Sequence, residues 1–79
     1  MSMGSDLREA IIEDRVEEAI QKRIDAGEIY TAEQVSEKMI HDFVEIVKKL
    51  RNDGMASDES LEYIPERYQD EVRRRLQDE

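Results

Sequence analysis

Four side chains at successive i+4 steps raise the first chemical question: Glu33, Glu37, His41 and Glu45. On a helix they share one face, and a histidine with a carboxylate one turn away is a pairing that zinc accepts. The rest of the pattern argues against a metal. In di-iron carboxylate bundles a glutamate stands three residues before the histidine. Lys38 occupies that place here. The four residues also lie on the polar side of their helix, away from any core, where a solvated face is expected. Covalent catalysis has no better footing. The chain has no cysteine, no serine in a glycine-rich elbow and no phosphate-cradling glycine loop. With 21 acids in 79 residues, a pair of carboxylates carries no information about glycoside hydrolysis. The sequence therefore reads as a non-enzymatic protein with no catalytic residue, no cofactor, no metal and no small-molecule substrate.

The helix beneath those four side chains has a clear start and stop. Thr31-Ala32-Glu33-Gln34 spells a capping box, and Tyr30 with Val35 fits a hydrophobic staple. Val35, Met39, Phe43, Ile46, Val47 and Leu50 then recur at helical spacing, with Ile40 beside them. At about 100° per residue they fill a face roughly 140° wide, and Val44 lies just outside it. The opposite face offers Lys38–Asp42 and Glu45–Lys49 as i,i+4 ion pairs. Asn52-Asp53-Gly54 ends the pattern, with Gly54 as the left-handed residue past the last turn. The spacing predicts a helix over 32–52.

Two further helices flank it. The first is predicted over 6–26, after a flexible start at 1–5. Ser5 or Asp6 caps it, Gly27 stops it, and Ile12, Val16, Ala19, Ile20 and Ile24 form its main stripe. The short link Gly27-Glu28-Ile29-Tyr30 makes the two helices an antiparallel αα-hairpin. The third is predicted over 65–77, opened by Pro65 and carrying a narrow stripe of Tyr68, Val72 and Leu76. Between Gly54 and Pro65 the pattern loosens to a turn, where Ser57 can cap a single short turn. No stretch alternates as a strand does. The fold class is all-α: one domain, 1–79, a small three-helix bundle built on the hairpin, with a short turn before the third helix.

The first helix carries two irregularities. Leu7 and Ile11 project from nearly the opposite side to its stripe, which suggests a second apolar contact. Asp6, Glu9, Glu13 and Glu17 form an acidic ridge whose i,i+4 neighbours repel, at a few tenths of a kcal/mol per pair. The Arg-rich third helix, a basic partner or plain solvent can each relieve that repulsion. Leu7, Ile11, Glu9, Glu13 and Glu17 are accordingly the candidate partner-binding residues. An apolar edge supplies area there, and acids supply orientation and on-rate.

Charge bounds the partners. The net charge is −9, and acids outnumber bases seven to four in 1–26, six to four in 27–54 and eight to four in 55–79, so no segment is basic. That distribution disfavours nucleic acid and anionic membrane and favours a protein partner with a basic or apolar surface. Apolar runs of two or three residues are too short for a membrane span or a signal-peptide core, so a cytoplasmic protein is expected. The alternative is a homodimer that completes its core through the first helix. Residues 26–35, Ala-Gly-Glu-Ile-Tyr-Thr-Ala-Glu-Gln-Val, loosely resemble the C-terminal region of small bacterial antitoxins. The N-terminal strand of ribbon-helix-helix antitoxins is missing, so this resemblance implies only a lesser alternative, a small DNA-associated regulator.

Overall fold

The computed structural model describes the backbone of residues 3–78 and the side chains of residues 10–78. It contains α1 (Met3–Asp25), α2 (Ala32–Asn52), α3 (Ser57–Leu61) and α4 (Glu66–Gln77), and no strand among the described residues. The all-α bundle is present, with the short turn before the last long helix realised as the five-residue α3. Helix α1 begins at Met3, so Ser5 and Asp6, expected to cap it, lie inside it. Pro65 stands one position before α4, as its N-cap.

Local chemistry sets the ends of α2. The Gln34 backbone N–H donates to Thr31 Oγ1 at 3.1 Å, and Gln34 Oε1 accepts from the Thr31 N–H at 2.9 Å. The same oxygen accepts from the Tyr30 N–H at 2.7 Å. The staple does not form, because the Tyr30 side chain is 79% exposed; its neighbour Ile29 is the buried residue of the link. Both long helices of the hairpin stop at a glycine with positive φ, Gly27 at +79° and Gly54 at +102°. After α1, Gly27 N–H reaches Ile24 O and Glu28 N–H reaches Arg23 O; after α2, Gly54 reaches Arg51 and Met55 reaches Leu50. Each is a complete Schellman motif, which satisfies carbonyls that the helix end leaves open.

Helix α2 packs against each of the other three. The core comprises Val16 and Ile20 of α1, Ile29 of the link, Met39, Phe43, Val44 and Val47 of α2, Leu61 and Ile64 around the end of α3, and Val72 of α4. Val44, expected just outside the apolar face, is buried because helices dock on both flanks of α2 and widen its covered arc to roughly half the circumference. Of the first-helix stripe, Ile24 is partly exposed and Ala19 is exposed, so Val16 and Ile20 carry the seam. Ile64 has no helix of its own yet is fully buried. Beside it, Gln69 Nε2 donates to Ile64 O at 2.8 Å. Buried Ser60 donates its hydroxyl to Ser57 O at 2.7 Å, so it is satisfied within α3. Tyr68 closes the α2–α4 seam. Its ring lies 5.0 Å from that of Phe43, and its hydroxyl donates to the Met39 sulfur at 3.8 Å.

Candidate functional site

Of the candidate partner-binding residues with described side chains, Ile11 and Glu13 lie on different sides of α1. Leu7 and Glu9 have side chains outside the described residues, as does Asp6 of the ridge. Ile11 is 55% exposed. Glu13 lies two positions further on, about 200° around the helix, and points the other way. Its carboxylate accepts from Arg67 Nη2 of α4 at 2.6 Å. The repulsion on the ridge is thus relieved at Glu13 by the Arg-rich last helix, while Glu17 is exposed and makes no ion pair among the described residues. The acids that share Ile11's side are Asp14 and Glu18, about 60° and 20° away around the helix. Both are exposed. The ridge pattern drew attention to positions bordering the core stripe and hid these two. Counting angles from Ile11 instead of following i+4 steps along the acids would have found them.

The Glu33–Glu37–His41–Glu45 line has a different occupation. Arg75 of α4 grips Glu37 with both terminal nitrogens, at 2.8 and 2.7 Å, and its Nε donates to Glu71 at 3.1 Å. That fork-to-fork geometry is the favoured arginine–carboxylate arrangement. The hydrogen bonds from Arg75 hold the Glu37 carboxyl below its ordinary value. The same contact, followed by that with Glu71, raises the Arg75 guanidinium above its own. Both Glu37 oxygens are therefore spent on joining α2 to α4. His41 is exposed, with Nδ1 3.6 Å from Asp42 Oδ1. Glu45 pairs with Lys48, one residue nearer than Lys49. Among the described residues no group of three His, Asp or Glu side chains is placed to hold a metal ion. The arginine run at 73–75 is likewise engaged: Arg73 with Asp70 at 3.6 Å, Arg74 with Glu71 at 3.3 Å, and Arg75 as above.

Two depressions interrupt the surface of the hairpin. One, about 540 Å³, lies at its closed end between Arg23, Ile29, Thr31 and Lys38, with Glu28, Glu33 and Glu37 on the same walls. Its charges are mixed and no polar group in it is buried. The other is a shallower groove of about 280 Å³ between α1 and α2, lined by Arg15, Val16, Ala19, Asp42, Glu45 and Ile46. No helix among the described residues is long and apolar enough to cross a membrane. No known protein family, curated protein or solved structure matches the chain.

Proposed function

We propose that this chain is a small non-catalytic protein-binding module that engages its partner through the outer face of α1. The observation that carries this reading is Ile11, a large aliphatic side chain 55% exposed on a helix whose opposite face is already packed on α2. Asp14 and Glu18 beside it are exposed acids, and the chain's net charge of −9 would draw a basic surface toward them. Burial of the exposed half of Ile11 against a partner would contribute about 1–1.5 kcal/mol, with the acids acting mainly on the rate of encounter.

The test compares the wild-type chain with an Ile11→Asp variant in capture from the native host, with helicity and thermal unfolding recorded for both. A partner with a basic or apolar surface should be held by the wild type and lost from the variant, while the folding transition is unchanged. A partner retained equally by both would place the contact elsewhere.

A further inference from the structure

We infer that the groove between α1 and α2 is a self-association site, and that its occupant is the same groove of a second copy of this chain. Its floor is apolar or small: Val16 and half-buried Ile46, with exposed Ala19 leaving a notch between the helices. Its two rims carry opposite charge, Arg15 on α1 and Asp42 with Glu45 on α2. Arg15 is exposed and makes no ion pair within the protomer among the described residues. Asp42 faces His41 and Glu45 faces Lys48 along their own helix; Glu45 is exposed and Asp42 half-buried on the groove wall. The groove opens on the side of α1 away from α4, because Arg15 is two residues from Glu13 and so points opposite to the Glu13–Arg67 contact.

Opposite rims make a surface self-complementary. A two-fold axis running along the groove, parallel to the helices, lays α1 of each copy over α2 of the other. Arg15 of one copy then stands above Asp42 and Glu45 of its partner, and the reverse pairing forms on the other side. Ala19 and Ile46, nearest the axis, meet their own counterparts. This is the isologous arrangement of a two-fold dimer, in which one patch supplies both halves of the interface. The small Ala19 lets the second α1 approach closely. Arg15 follows Ile11 by one turn on the same side of α1, so the groove borders the Ile11 contact. The two are told apart by readout: self-association is read on the purified chain alone, and its failure would leave capture of a different partner through Ile11 standing.

Sedimentation equilibrium of the full chain over a wide concentration range tests the inference, with circular dichroism as the control for folding. The wild type should pass from monomer to dimer. Ala19→Glu, at an exposed position with no packing role in the protomer, should stay monomeric with unchanged helicity. Arg15→Glu should weaken the dimer by about tenfold or more, since like charges then meet across both rims. Arg15→Glu combined with Asp42→Arg and Glu45→Arg reverses both rims and should restore the dimer. A wild type that stays monomeric throughout overturns the inference. So does a dimer that Ala19→Glu leaves intact.

Discussion

Helices α1 and α2 are of similar length, 23 and 21 residues, but are held in different ways. Helix α2 is closed by a capping box at one end and a Schellman motif at the other, and carries four buried side chains. Three helices pack on it, and Arg75 ties its outer face to α4. Helix α1 buries Val16 and Ile20, packs half-buried Ile12 beside them, and among the described residues is tied to α4 by Glu13 to Arg67. The contrast shows that helical length and core membership are separate properties. A short chain concentrates its limited apolar area on one element and leaves another with a face to spare. It is that spare face on which the proposed partner contact is placed.

Four substitutions would break or sharpen the contrast. The largest should come from the centre of α2. Phe43→Ala removes a fully buried ring that touches Tyr68 and should cost about 3–5 kcal/mol. That is a large share of a small domain's stability, so urea unfolding should show a collapsed midpoint. Ile11→Ala on α1 should stay within about 0.5 kcal/mol in the same assay. A comparable loss at both sites would erase the distinction. Next comes the cap: Thr31→Ala removes the acceptor for the Gln34 N–H and should cost about 1 kcal/mol, read from the same unfolding curves.

The smallest effect is the pH dependence of the α2–α4 tie. Arg75 holds the folded Glu37 carboxyl below its ordinary value of 4.5. Glu37 therefore stabilises the fold above pH 4.5, and that stabilisation is lost as the pH falls through the lower, folded value. Glu37→Gln should flatten this part of the acid-unfolding curve. The exposed setting keeps the effect small, and an unchanged curve would show that the bidentate contact does not persist in solution.

Much of this was legible because its causes are local. The capping box needs Thr31 and Gln34 three residues apart, and each Schellman stop needs a glycine at one position. The i,i+4 spacing identified Met39, Phe43, Val47 and Val72. What remained hidden depends on distant chain. Val44 is buried only because α2 is flanked on two sides. Ile64 has no periodic neighbours to announce it. The staple failed because Ile29, and not Tyr30, found room in the core. Glu13 meets a residue 54 positions away, so the ridge by itself left its arginine-rich partner as one alternative among several. Glu37 reads as solvated on its own helix and becomes a crosslink only when α4 brings Arg75 alongside.

The helix on which the others dock is also the middle of the chain. α1 reaches it through the short link after Gly27, and α3 with α4 follow directly after Gly54. Neither end of the sequence has to find the other before the core can close. The loops that must be ordered first are short, and their entropic cost is correspondingly low. Assembly of this bundle is therefore a sequence of near-neighbour events. Folding should occur in microseconds to milliseconds, on the order expected for helical proteins of low contact order. The hairpin has no need to wait for α4, whereas the Glu13–Arg67 and Glu37–Arg75 ties both require α4 to be docked.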